Sequence, residues 1–250
     1  MGGTATNGKV ALVTGGAKRV GATIVRRLHA AGWRVLLHYR ASRDEAQALA
    51  DELNAVRPDS IALAQLDLVN VARLPELVAA AVTHFGRLDA VINNASSFFA
   101  TPVGTFTDTA WDDLVGSNLK APLFLAQAAA PELTKTGGCI VSIADIHVDR
   151  PYPGFMLYTV AKAGLVAMTK GLARELAPAV RVNAIAPGSN LWPDDGRAFD
   201  EAERERIRAS IPLGRTGEPG DLAQAILFLL EAPYLTGVVL PVDGGRSVVL

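Results

Sequence analysis

Val10-Ala11-Leu12-Val13 runs straight into Thr14-Gly15-Gly16-Ala17-Lys18-Arg19-Val20-Gly21, and an amphipathic Ala/Leu/Arg stretch follows to Ala31. A short apolar run, a turn of small residues and a helix, in that order, predict a strand that ends where a phosphate can be held. Small side chains let backbone N–H groups approach a pyrophosphate, and a helix N-terminus adds its partial positive charge. Here the turn closes the first strand and opens the first helix, the context a dinucleotide site needs.

The alternation continues outward. Apolar, β-branched runs at 9–13, 34–39, 61–66, 88–93, 139–144, 180–185 and 238–242 read as strands. Helices are predicted over 19–31, 44–57, 74–85, around 109–115 and 119–133, and over 158–176 and 219–230. Continuous apolar strands separated by helices predict an α/β fold, a doubly wound seven-stranded parallel sheet with helices on both faces. No composition shift divides the chain, so 1–250 reads as one Rossmann-type domain. The irregular 187–210 segment is a candidate substrate loop, with Trp192, Asp194 and Asp195 on it. Glu201 to Arg208 reads as an exposed helix face with i,i+4 charge pairs.

The 250 residues are 50% hydrophobic and carry 24 Lys+Arg against 25 Asp+Glu. That composition excludes disorder and a disulfide scaffold. The balanced charge argues against nucleic acid, which requires a basic excess. The lone Cys139 reads as an inert core thiol and implies a reducing, cytoplasmic setting. No apolar stretch approaches the ~18 residues of a spanning helix, so no membrane partner is expected. Met1-Gly2-Gly3-Thr4-Ala5-Thr6 loosely fits a myristoylation pattern but lacks a second anchor, and reads as a leader. His29, His38 and His84 are scattered, so no metal site is expected.

Two features bear on the dinucleotide. After the second strand stand His38-Tyr39-Arg40-Ala41-Ser42-Arg43, with no carboxylate until Asp44, where an NAD site places an acidic residue. Lys18 and Arg19 lie in the turn itself. Cations and a hydroxyl suit a 2′-phosphate, so NADPH is the expected cofactor. Tyr158-Thr159-Val160-Ala161-Lys162 then sets a phenol and an ammonium one helical turn apart. The ammonium is expected to lower the phenol's pKa and make Tyr158 a general acid–base.

Taken together, these residues resemble the short-chain dehydrogenase/reductase family over nearly the whole chain. Asn93-Asn94-Ala95 resembles the segment ending its fourth strand, Asn118 matches the asparagine of its proton relay, Asp67 lies at its adenine position, and Pro187-Gly188 resembles its nicotinamide turn. The resemblance implies a cofactor-contact set of Gly15, Lys18, Arg19, Val20, His38, Tyr39, Arg40, Ser42, Asp67, Leu68, Asn94, Ala95, Ser96, Tyr158, Lys162, Pro187, Gly188 and Ser189. It also implies a homotetramer, with which the apolar tail Val248-Val249-Leu250 is compatible.

Three departures narrow the resemblance to the pteridine reductase branch. Arg19 replaces the middle glycine of the turn. Asp145 stands thirteen residues before Tyr158, where the family has serine. Ser96-Ser97-Phe98-Phe99 follows Asn93-Asn94-Ala95. An ionised Asp has no proton for a substrate carbonyl, whereas a pterin carries N–H donors it can accept and a ring nitrogen that must be protonated. The expected activity is NADPH-dependent reduction of a dihydropterin or dihydrofolate-like ring. Asp145, Tyr158, Lys162 and Asn118 are the candidate catalytic residues, and Arg19, Ser96, Phe98, Asp145 and Tyr158 the candidate substrate contacts, with Phe98 stacking on the ring. His147 reads as a polar residue at the pocket rim. The alternatives are a carbonyl reductase of the same family and a non-catalytic NADPH-binding sensor.

Overall fold

The computed structural model describes residues 8–192 and 200–249. Asp194, Asp195, Leu250 and the leader lie outside the described residues.

Strands β1 (Val10–Val13), β2 (Arg34–Tyr39), β3 (Ile61–Gln65), β4 (Ala90–Asn93), β5 (Cys139–Ile143), β6 (Arg181–Pro187) and β7 (Val239–Val242) form one sheet. Its order is β3-β2-β1-β4-β5-β6-β7, parallel throughout. The helices are α1 (Arg19–Ala30), α2 (Arg43–Val56), α3 (Leu74–Phe85), α4 (Asp108–Val115), α5 (Ala121–Thr136), α6 (Met156–Glu175), α7 (Glu201–Ala209) and α8 (Pro219–Glu231).

Strand β1 shows why the apolar runs are unbroken. Ala11 and Val13 face a core with Ile24 and Leu28 of α1, Leu49 of α2 and Ile226 of α8. Val10 and Leu12 face a second core with Leu74 and Leu77 of α3 and Leu125 and Leu133 of α5. Both faces are covered, so both side-chain parities must be apolar. Each fully buried Leu contributes roughly 1.5–3 kcal/mol of transfer free energy.

Chain order reverses beside β1, between β2 on one side and β4 on the other. That reversal opens a crevice at the carboxyl ends of the strands, where ligands of open α/β sheets bind. Strand β6 runs two residues past its predicted end because Ala186 and Pro187 pair with Pro241 and Val242 of β7. A π turn over Gly116–Lys120 joins α4 to α5 and carries Asn118.

Helix α7 forms inside the stretch read as substrate loop, with the Asp200 carboxylate capping the Glu203 N–H at 2.7 Å. Its ion pairs correct the expected spacing. Glu203–Arg206 and Glu205–Arg208 are i,i+3 pairs, and Arg208 also reaches Glu201 two turns back. Cys139 is buried, and burial pushes its thiol up to about 11.

Candidate active site

A cleft of about 730 Å³ lies at the carboxyl ends of the strands. Every cofactor and substrate residue named from sequence lines it, as do Asp145, Tyr158 and Lys162. Asn118 does not.

The turn after β1 is held by its neighbours. Gly15 has φ +62°, and a Cβ on Gly21 would collide with the Gly15 carbonyl and lie 2.7 Å from Asn94 Nδ2. That closeness lets Asn94 Nδ2 donate to the Thr14 and Gly15 carbonyls, both at 2.9 Å. The Thr14 hydroxyl in turn accepts from the N–H groups of Asn94 and Ala95 at 3.0 and 3.1 Å. From β2, His38 Nδ1 accepts the Gly15 N–H at 3.2 Å while Nε2 meets the Leu66 carbonyl at 2.9 Å. A carbonyl can only accept, so Nε2 carries the proton. Burial pulls this histidine's pKa below its ordinary value. His38 therefore shapes the turn with both ring nitrogens engaged inside the protein. The Gly16 N–H is also engaged, by the His38 carbonyl at 2.9 Å. Helix geometry leaves a phosphate the N–H groups of the first turn of α1, which have no partner within the helix.

Arg19 adopts φ +51°, a left-handed conformation at the position where the family uses glycine. Its guanidinium donates to the Trp192 carbonyl at 2.9 Å. Lys18 pairs with Glu45 of α2. A carboxylate thus stands beside the basic group, which the reading of 38–43 alone did not foresee.

Asp145 follows the end of β5. Its Oδ2 accepts the Tyr158 hydroxyl at 2.9 Å. Its Oδ1 accepts the His147 backbone N–H at 2.8 Å and the His147 ring Nδ1–H at 2.7 Å. Burial is the largest influence on Asp145 and works to raise its pKa. The donors from His147 and Tyr158 outweigh it and hold the carboxyl below the ordinary value. Tyr158 moves the other way: burial, then the Asp145 charge, push its phenol well above 10. Lys162 is pulled down to about 8 by burial, and its Nζ donates to the Ile143 carbonyl at 2.7 Å. This corrects the expected tuning. The ammonium faces a carbonyl and the Tyr158 ring face, 5.6 Å from its centroid, and the dominant neighbour of the phenol is an anion.

Phe98 stacks on Phe155 (4.7 Å, 8°) and meets Tyr158 edge-on at 4.9 Å. With 41% of its surface exposed, it still offers apolar area to the cleft. Asn118 is buried; its Oδ1 accepts Ser96 Oγ at 2.6 Å, and its Nδ2 donates to the Ser97 and Leu114 carbonyls at 2.9 Å each. Its amide anchors the Ser96–Ser97 wall. His147 lines the cleft, and its ring is tied to Asp145. Sequence reasoning passed over Arg246, which is 4% exposed and donates to Ser189 Oγ at 2.9 Å and Ser210 Oγ at 3.1 Å. Its only signal was a lone cation after Gly244-Gly245. Among the described residues no cluster could hold a metal and no helix is long and apolar enough to cross a membrane.

A family model described as Enoyl-(Acyl carrier protein) reductase matches residues 15–247. Pteridine reductase 1 of Leishmania tarentolae is 37% identical over 98% of this chain and 98% of its own. A protein of Streptomyces violaceoruber named as a ketoacyl reductase of the granaticin polyketide synthase is 38% identical over 94% of this chain and 95% of its own. A 3-oxoacyl-(acyl-carrier-protein) reductase of Staphylococcus aureus is 33% identical over 95% and 97%.

Proposed function

The chain belongs to the short-chain dehydrogenase/reductase family of NAD(P)H-dependent oxidoreductases, and from that premise we propose that it reduces a dihydropterin-like ring with NADPH. The observation that carries this reading is the ionised Asp145 bonded to Tyr158.

The cleft suits the cofactor. A turn that a single Cβ would block, the first turn of α1, and the cations Lys18 and Arg40 with the Ser42 hydroxyl fit a phosphorylated dinucleotide. Asp67, Leu68, Asn94, Ala95 and Ser96 would flank adenine, ribose and phosphates; Tyr158, Lys162, Pro187, Gly188 and Ser189 would hold the nicotinamide end. When bound, NADPH supplies the hydride.

The residues of the chain supply the proton. The raised pKa keeps Tyr158 protonated at neutral pH, so the acid stands loaded. A C=N carbon that accepts hydride leaves a strongly basic nitrogen, which draws the phenolic proton off. An ionised carboxylate has about four acceptor sites. Three on Asp145 are occupied, by two donors from His147 and one from Tyr158, which leaves room for one N–H of a heterocycle. A ketone offers no such donor, and Asp145 would repel its developing alkoxide. Phe98 supplies a flat apolar wall for a planar bicyclic ring, and Arg19 a planar fork for its edge.

The names of the Streptomyces and Staphylococcus relatives support the second reading, a carbonyl reductase of an acyl substrate. Purified protein decides between them by loss of nicotinamide absorbance. Dihydrobiopterin or dihydromonapterin should be reduced and a 3-oxoacyl thioester should give little turnover; the reverse result overturns the proposal. Asp145→Ser should cost pterin turnover.

We further infer a single-domain, cytoplasmic homotetramer. Exposed Phe106, Trp111, Phe124, Met156 and Val160 on and around α4, α5 and α6 support burial against a second copy. Sedimentation would measure the assembly.

A further inference from the structure

The Asp145–Tyr158 pair accounts for one oxygen of the carboxylate. The other is occupied by a residue with no assigned role. We propose that His147, held in one tautomer by Arg246, is a positioning residue of the acid–base unit. It clamps Asp145 as an ionised acceptor aimed at Tyr158. The inference rests on Tyr158 as proton donor, and not on which ring is reduced.

Two bonds from one residue converge on Asp145 Oδ1, from the backbone N–H and the ring Nδ1 of His147. Rotating the carboxylate breaks both, so Oδ2 stays toward Tyr158. The ring contact also fixes a proton. An ionised carboxylate only accepts, so Nδ1 must carry hydrogen, which leaves the state of Nε2 to its other neighbour. Arg246 Nη1 lies 3.5 Å from that Nε2. The distance is long for a hydrogen bond. A guanidinium is nonetheless always charged and can only donate, so it opposes a proton on Nε2. The carboxylate requires a proton on Nδ1 and the guanidinium opposes one on Nε2, so together they select one tautomer.

Arg246 is not accounted for otherwise. It is nine-tenths buried, and among the described residues no carboxylate lies within ion-pair distance of it. Its partners are two serine hydroxyls and His147, with the Tyr152 ring 6.0 Å away. A cation buried without an anion is costly, and an imidazole lone pair is among the few neutral groups that can face it. The remaining groups around His147 are few. The Tyr152 ring stands edge-on at 4.9 Å, and its hydroxyl donates to Glu203 of α7 at 3.2 Å. On the far side of Asp145 stands Lys162 of α6, whose charge state Asp145 favours. Through Ser189 and Ser210, Arg246 also ties the loop after β6 and the end of α7 to the carboxylate.

The test has two arms. In the first, ¹⁵N-histidine NMR of the intact wild-type protein reads the His147 tautomer, assigned with His147→Asn. The expected signal is a protonated Nδ1 and a bare Nε2, lost or reversed in Arg246→Ala. A protonated Nε2 at neutral pH overturns the proposal. The second arm is kinetic. His147→Ala should lower kcat by about 10- to 100-fold, part of the roughly 10²–10⁴ a positioned acid supplies, with the NADPH Kd within about twofold. His147→Asn, whose Nδ2 can replace the Nδ1 donor, should recover most of the rate. A rate and pH profile unchanged in His147→Ala, or no recovery in His147→Asn, sinks the clamp. If wild type reduces no pterin, the functional reading fails, while the tautomer still decides the clamp.

Discussion

Arg19 reaches across 173 residues of chain to hold the Trp192 carbonyl at 2.9 Å. One end of that contact is the phosphate turn and the other is the loop after β6. To present its side chain there, Arg19 takes a left-handed backbone, which costs an L-residue roughly 1–2 kcal/mol. The family's glycine would be free of that cost, so the side chain is retained for what it touches.

Arg19→Gly and Arg19→Ala separate backbone from side chain. Both remove the guanidinium and should weaken substrate binding alike. Only the alanine variant keeps a Cβ at positive φ, so the glycine variant should be the more stable by about 1 kcal/mol in urea unfolding. Equal stabilities would show that the strain is absent.

Tyr158→Phe deletes the loaded acid and leaves the shape of the cleft. Turnover should fall by at least about 10²-fold while NADPH still binds, as fluorescence titration would show. Substantial residual turnover would move the proton donor elsewhere.

Lys162 sets an upper pH limit. Its amine discharges near pH 8 in the folded chain, against about 10.4 when unfolded. NADPH affinity of the free enzyme should therefore fall as pH rises through about 8. Stability moves oppositely. Between the two values the unfolded chain binds the extra proton, so this group makes unfolding harder as pH rises. Lys162→Met should abolish both slopes, read by titrations at a series of pH values.

His38 gives the acid side. Its folded pKa is lowered, so its neutral form contributes stability above the unfolded value near 6.5, lost as pH falls through the folded value. His38→Leu leaves the Gly15 N–H and the Leu66 carbonyl without their partner, at about 1–3 kcal/mol each. A loss of about 2–6 kcal/mol is expected, with weakened NADPH binding. A loss under 1 kcal/mol would show that the turn does not depend on the ring.

The sheet was legible because β1, β2, β4, β5 and β6 are buried on both faces, and unbroken apolar runs say so directly. The spacing along α6 pointed to Tyr158 and Lys162, and the family resemblance to Asp145, all three of which line the cleft. The direction in which Tyr158 is tuned was not legible. Spacing along α6 brings Lys162 near, but only the fold shows its amine turned to Ile143 and the phenol turned to Asp145. Asn118 matched a pattern whose side chain proves to be a buried anchor. His147 and Arg246 meet from positions 99 residues apart, and no periodicity reports such a meeting. Glu45 was missed because helix α2 returns it to Lys18, outside the run that was read.

Cys139 is the chain's single thiol, sealed in the sheet and protonated at any physiological pH. Alkylating dyes and spin labels react with thiolates, so the native molecule should stay unmarked. A cysteine placed on α7 could then carry one reporter per chain, with no background to subtract.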